Sequence, residues 1–381
     1  MNIDLGYITG LVGGWFAPNR NVQTLEEPTQ QNEEPTIEEP VQPKAQASSR
    51  NVDTLRPKNF SDFIGEANRN VVERLELAVA SAVKRNATLN HILLYGNQGL
   101  GKTTLSKIIA TEAGAEIVTV TGSTLLRQQD ILLTLCKVEQ LASNGKPVVL
   151  FIDEIHDLRS KDAPETLWYP ILEEFTFYHN LEGTQLKMDG NTYSVSGSVV
   201  KMKPFTVIGA TTDPGKLSPP LRDRFQINCS LKAYSIRDLK DILLKYAHRA
   251  QINVEREAFW EVARRGRGNP RISINLLLAC YDRAVVKSSG KILSSTVLKQ
   301  MSSDGIDEEG LLYTDIAVLT ALKAHPKGLG LGNLASSCGI RKQTIEEMVE
   351  PVLKLRGYMM TTHKRFITES GVKLLEKKGM Q

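Results

Sequence analysis

His91-Ile92-Leu93-Leu94-Tyr95-Gly96-Asn97-Gln98-Gly99-Leu100-Gly101-Lys102-Thr103 carries a full G-x-x-x-x-G-K-[ST] octet, running from Gly96 to Thr103. The five residues before the octet read as a short apolar strand, and Leu105 to Ala110 after it has helical spacing. The octet is therefore the turn by which a strand enters a helix. Such a turn holds phosphate. Its glycines let backbone N–H groups close around a β-phosphate, and the helix N-terminus adds partial positive charge. Lys102 reaches the β and γ oxygens, and the Thr103 hydroxyl is placed to ligate Mg²⁺. Gly99, Leu100, Gly101, Lys102, Thr103 and Thr104 are the expected contacts of a bound ATP.

The complement of this loop lies at Val148-Val149-Leu150-Phe151-Ile152-Asp153-Glu154, a β-branched and apolar run ending in two carboxylates. A strand buried on both faces of a parallel sheet has this composition, and open α/β sheets bind ligands at the carboxyl ends of their strands. The two acids are thus expected beside the phosphates. Asp153 would hold Mg²⁺ through water, and Glu154 would orient or deprotonate the attacking water.

Length and composition set the frame. A chain of 381 residues has room for two or three domains, and 41% hydrophobic with 24% charged residues is ordinary globular composition. The four cysteines, Cys136, Cys229, Cys280 and Cys338, are widely spaced, so neither a zinc site nor a disulfide framework is suggested and a reduced, cytoplasmic setting fits. No apolar run reaches the roughly 20 residues that span a bilayer.

Residues 1–50 differ from the rest. Leu5 to Pro18 is apolar and aromatic without a preceding Lys or Arg, which argues against a secretory signal, and residues 19–50 have a disordered linker's composition. These fifty residues hold seven acidic and three basic side chains, net −4 on a chain of net +4, so the body is basic. Tyr7, Leu11, Trp15 and Phe16 read either as a docking peptide for an unknown partner on a flexible tether or as a segment folded back onto the body.

After residue 50, strand and helix patterns alternate as in a doubly wound sheet, with further strands at Ile117 to Val120 and Phe205 to Ala210. Between Phe175 and Pro204, the turn signal Asp189-Gly190-Asn191 and the alternating Thr192 to Ser196 predict a projecting β-hairpin. Residues 235–302 have helical apolar spacing. From Leu311 onward, three helical segments and the alternating run Tyr358 to Thr368 suggest a winged helix. Leu311 to Gln381 carries eleven bases and six acids, and Lys364-Arg365 on the wing is expected to track duplex DNA phosphates.

The octet with Thr104-Leu105, the stretches FIDEIHDL, IGATTDPGKLSPPLRDRF and RGRGNPRISINLL, the entry LRPKNFSDFIG and the run GLGLGNLASSCGIRKQTIEEMVEPVLKLRGY resemble the RuvB family in order and spacing. These are AAA+ ATPases of Holliday-junction branch migration, and the resemblance covers about residues 51–370. It implies an AAA+ ATPase domain over 51–232, a helical lid over 233–305 and a winged-helix domain over 306–381, behind the 1–50 leader. It also implies a homo-oligomer, a hexameric ring, acting on duplex or four-way-junction DNA, with the hairpin docking a junction-binding partner that is either RuvA-like or something else.

Roles follow residue by residue from the same resemblance. Leu55, Arg56 and the Phe63-Ile64-Gly65 turn match the adenine-binding entry. Thr211 or Thr212 matches the first sensor of the γ-phosphate, Arg224 the arginine finger that reaches a neighbouring subunit's site, Tyr234 a nucleotide-contacting tyrosine, and Pro270-Arg271 the second sensor. His156 is expected to be a structural neighbour of the acids. The chain departs from the family pattern in its leader, its longer hairpin, its fewer wing arginines and its Asn97-Gln98 in place of Pro-Pro. Two other classes stand beside the motor reading: an AAA+ loader or remodeller of a replication or virion protein, and a nucleotide-switched DNA-binding regulator. A DNA-stimulated ATPase separates the first from the motor, and Glu154 with Arg224 speaks against the second.

Overall fold

The computed structural model describes residues 55–379, apart from 159, 189–190 and 288–289 and the side chains of 187–193. The leader, and whatever it binds, lies outside the described residues.

Five parallel strands form the central sheet in the order β2-β3-β8-β1-β9. They are β1 (Ile92–Tyr95), β2 (Glu116–Thr121), β3 (Val148–Asp153), β8 (Thr206–Thr211) and β9 (Ile227–Ser230), with β4 to β7 inserted between β3 and β8. The apolar runs of β1, β3 and β8 are buried on both faces, as central strands under two helical layers must be. Ile92, Leu94, Val149, Phe151 and Ile208 face one layer, containing helices α1 (Arg69–Arg85) and α2 (Lys102–Glu112). Leu93, Leu150, Ile152 and Val207 face the other, containing α3 (Gln128–Ser143) and α4 (Trp168–Glu174). This stacking brings the carboxyl ends of β1, β3 and β8 side by side, with Tyr95 opposite Thr211.

The insertion is two antiparallel pairs, one following the other. β4 (Thr176–Tyr178) pairs with β7 (Val199–Lys201), and between them β5 (Gln185–Met188) pairs with β6 (Asn191–Ser194). Met188 stands opposite Asn191, so a two-residue connection closes the inner pair, and the turn signal at Asp189-Gly190 itself lies outside the described residues.

After α5 (Pro219–Asp223) and β9, the chain builds a helical lid from α6 (Ile236–Arg249), α7 (Arg256–Arg265), α8 (Pro270–Lys287) and α9 (Ser294–Ser303). Ser235 and Asp238 form a reciprocal capping box that fixes the start of α6. The final unit holds α10 (Tyr313–Lys323), α11 (Leu331–Cys338), α12 (Lys342–Thr344), a π turn Ile345–Val349 and α13 (Glu350–Leu355), then β10 (Met359–Thr361), β11 (Arg365–Ile367) and α14 (Glu369–Lys377). The helix expected over 341–355 is thus interrupted. Pro351 has no N–H to return to the fourth preceding carbonyl, and the hydrogen bonding widens just before it. β10 and β11 are the wing, and Leu329 joins it through a single antiparallel bridge to Arg365.

Lid and winged helix are joined by a buried ion pair. Arg267 Nη1 lies 2.6 Å from Asp315 Oδ2 and Nη2 lies 3.0 Å from Oδ1. Their side chains are 8% and 0% exposed. Asp315 also accepts from Leu312 N at 2.8 Å, and Arg267 donates to Met348 O at 2.8 Å. Removing one partner strands a buried charge, which costs about 3–5 kcal/mol. Asp315→Ala is therefore expected to lower the melting temperature of the lid and winged-helix unit by several degrees, measured by calorimetry. An unchanged melting profile would mean that Arg267 finds water there.

The four cysteines are free thiols, and burial pushes the Cys280 thiol up to about 12. No helix among the described residues is long and apolar enough to cross a membrane.

Candidate active site

A cleft of about 450 Å³ opens between the sheet's carboxyl edge and the lid. It is lined by the expected phosphate-loop residues Gly99 to Thr104, by Asp153 and Glu154, by the entry residues Leu55, Arg56, Phe63 and Ile64, and by Tyr234, Pro270 and Arg271. Residues from five separated blocks of sequence thus converge. The lid also contributes Ile242, Tyr246, Ile274 and Leu278, which the sequence displayed only as helical apolar spacing. Asp62 stands at the same wall, 2.8 Å from Arg249 and 3.7 Å from Lys245.

The loop takes its shape from left-handed glycines, Gly99 at φ 80° and Gly101 at φ 102°. A Cβ on Gly99 would meet Asn269 Oδ1 at 2.5 Å, so the lid closes directly on the loop backbone. Asn269 Nδ2 donates to Gln98 O at 2.7 Å while its Oδ1 accepts from Arg271 N at 2.9 Å. Asn269 therefore fixes the start of α8 and the loop together, a link that the GNPR stretch alone did not reveal. Tyr234 adds a second link, its hydroxyl donating to Leu100 O at 3.0 Å. Burial raises the Tyr234 phenol above its ordinary range, so it stays a neutral donor.

Lys102 is 6% exposed and its Nζ donates to Gly96 O at 2.7 Å and to Asn97 O at 3.2 Å. Burial pushes its ammonium below the usual lysine range, Glu154 and Asp153 pull it back up, and Arg271 pushes it down again. Two cations, Lys102 and Arg271, thus face two carboxylates, Asp153 and Glu154, and their formal charges balance. Thr103 Oγ1, from the head of α2, reaches Asp153 Oδ2, at the end of β3, at 3.3 Å.

Glu154 begins a sharp turn with φ 47°, a left-handed conformation that non-glycine residues rarely adopt. The turn fits because Gly122 lies against it: a Cβ there would stand 2.4 Å from Glu154 O. The paired threonines at the end of β8 separate in role. Thr212 Oγ1 donates to Glu154 Oε2 at 3.3 Å, whereas Thr211 is fully buried and its Oγ1 lies 2.9 Å from His156 Nδ1. Neither threonine lines the cleft itself.

Arg224 is not in its own subunit's cleft. Its Nη1 donates to Pro220 O at 2.6 Å, Nη2 lies 3.1 Å from Glu173 Oε1, and the guanidinium stacks 4.1 Å over the Tyr169 ring. The side chain is held on α4, 21% exposed, with Nε buried and unpartnered.

Family models match the whole described body: the Holliday junction DNA helicase RuvB P-loop domain over 55–231, the RuvB AAA lid domain over 234–307 and the RuvB C-terminal winged helix domain over 308–376. The chain is 38% identical over 328 residues to the Holliday junction branch migration complex subunit RuvB of Thermotoga maritima, covering 85% of this chain and 93% of that one. The chain belongs to the RuvB family. It is therefore a P-loop AAA+ ATPase. The Kosmotoga olearia RuvB is also 38% identical, over 316 residues, covering 82% and 86% of the two chains. The solved Thermotoga maritima RuvB Holliday junction branch migration motor superposes with a TM-score of 0.69 at 36% identity, covering 85% and 98%. The Aeropyrum pernix ORC2 protein, at 15% identity and TM-score 0.54, shares the fold alone.

Of the two wing cations, Arg365 is engaged within the domain: its Nε donates to Glu350 Oε1 at 2.7 Å and its Nη2 to Glu346 Oε1 at 3.4 Å, and its side chain is 13% exposed. Glu350 is 5% exposed and needs a counter-charge. The double hydrogen bond between the Arg365 and Leu329 backbones fixes Arg365 in the wing, where it supplies that charge. Lys364, its neighbour, remains on the outer side with Nζ 3.5 Å from Lys327 O.

Proposed function

We propose that this RuvB-family protein is an ATP-driven, ring-forming motor that moves duplex DNA and migrates the branch of Holliday junctions. The observation that supports it is an ATPase cleft complete except for a trans residue, beneath a lid tied to a winged helix. Lys102, the loop amides and Arg271 hold the phosphates, and the entry residues with Ile242, Tyr246 and Ile274 take the base. Thr103 and Asp153 offer oxygen donors 3.3 Å apart. That spacing suits Mg²⁺, which keeps water and uses one or two carboxylates beside phosphate oxygens. Held by these two residues, Mg²⁺ would neutralise phosphate charge.

Glu154 receives the proton of the attacking water, and Thr212 fixes the carboxylate that does so. Arg224 of one subunit stabilises the charge developing in its neighbour's site. The hexamer and a RuvA-like partner belong to this same reading, with the paired strands of 175–204 as the docking arm. ATP turnover by the full chain, alone, with linear duplex and with a four-way junction, tests it alongside strand-exchange of a labelled junction. Turnover that peaks with the junction and separates its arms supports the motor. Turnover indifferent to every DNA would favour a protein remodeller.

On the winged helix, Lys364 and Lys327 are proposed to contact phosphates. Lys364→Glu is expected to weaken linear and branched duplexes alike and to reduce the slope of log affinity against log salt by about one. An unchanged slope would remove Lys364 from the interface.

A further inference from the structure

We propose that His156 is a positioning residue for hydrolysis: it orients the Glu154 carboxylate toward the attacking water and ties that orientation to the end of β8. This rests on Glu154 being the water-activating acid.

The geometry starts from the turn after β3. Ile155 packs against β8 at Gly209, where a Cβ would meet Ile155 Cδ1 at 2.7 Å, so the turn Ile155–Asp157 is pinned to the sheet. The pinned turn aims the His156 ring inward, 10% exposed. Nδ1 then lies 2.9 Å from Thr211 Oγ1 and 3.3 Å from Glu154 Oε2.

Proton accounting defines the ring's role. In the proposed arrangement the hydrogen sits on Nδ1 and is shared between Thr211 Oγ1, its hydrogen-bond partner, and Glu154 Oε2, the nearer of the two carboxylates at the ring, while Asp157 Oδ1 lies 3.6 Å from Nε2. Thr211 Oγ1 accepts from Asp213 N at 3.0 Å, which fixes the threonine from its other side. Thr212 Oγ1 is the second donor to Oε2, at 3.3 Å. The Thr212 hydroxyl and the Nδ1 edge of His156 therefore both face one carboxylate oxygen. Oε1, which accepts no hydrogen bond among the described residues, is left as the oxygen that takes the water's proton. The same imidazole meets Thr211, the last residue of β8, so a shift of that strand end turns the carboxylate.

A ring that merely fills space predicts a different mutational pattern from one that donates through Nδ1. Asparagine places an amide N–H near the Nδ1 position, whereas glutamine places one near Nε2. His156→Asn is expected to keep kcat within about threefold of the native chain, and His156→Gln to lower it about 10- to 100-fold, the usual cost of losing an orienting partner. Nucleotide affinity, read with a fluorescent ADP analogue, is expected to stay within about twofold in both, because the ring touches no phosphate contact. In a Glu154→Gln background, His156→Gln is expected to cost nothing further, since it acts through the missing carboxylate. Equal rates for the Asn and Gln variants, or full additivity with Glu154→Gln, would overturn the proposal. Native turnover in Glu154→Gln itself would instead remove the premise about Glu154. Circular dichroism melting of each variant separates these results from misfolding.

Discussion

Arg224→Ala is expected to lower ATP turnover about 10³- to 10⁵-fold, the range attributed to an arginine that neutralises transition-state charge in phosphoryl transfer. Nucleotide binding is expected to survive, because Arg224 lies outside its own cleft and rests on Pro220, Glu173 and Tyr169. The trans role has a sharper signature than the loss itself. Mixed with Lys102→Ala subunits, which lack the phosphate-holding amine but keep the finger, Arg224→Ala subunits should regain part of the lost activity. Their intact clefts would then face intact arginines. A mixture no more active than its components would place Arg224 in a purely structural role on α4. The holding contacts carry a further cost to assembly. Ion pair, stack and carbonyl bond must be exchanged for contacts across the subunit boundary, so turnover per subunit should rise steeply with protein concentration.

Glu154→Gln removes the base while keeping the shape and one hydrogen-bonding oxygen. Single-turnover hydrolysis should fall about 10²- to 10⁴-fold, as expected for loss of general base catalysis, with ATP affinity little changed. The amide can still accept from Thr212 and His156, so the turn should persist and the protein should accumulate with ATP bound. Rapid-quench measurement of ADP formation, paired with filter binding of labelled ATP, checks both halves. If hydrolysis persists at the native rate, the water must be activated elsewhere in the cleft.

Much of this site was legible in the sequence because its chemistry is written in contiguous residues. The octet from Gly96 to Thr103 and the run ending in Asp153-Glu154 each carry their own local geometry, strand then loop then helix, or strand then acid. The edge strand Ile227–Ser230 was missed because half its residues are polar and it pairs only with β1. What the side chains concealed has one cause. Arg365 looked like a free cation because Glu350, its partner, sits fifteen residues away on another element. His156 looked like a bystander because Thr211 lies 55 residues along the chain. Arg267 drew no reading at all, because its partner Asp315 lies 48 residues on. Periodicity reports which face of an element is buried; it does not report what lies opposite.

Gly122 has a meaning for how this chain can vary. It touches no phosphate, offers no proton and carries no side chain, yet the carbonyl of Glu154 lies where its first carbon would be. Drift at this position meets a wall: any replacement must displace the backbone that aims the acid, whereas Lys364 at the rim can change with its DNA. A site this intolerant is thus one that no inhibitor or chemical label would mark.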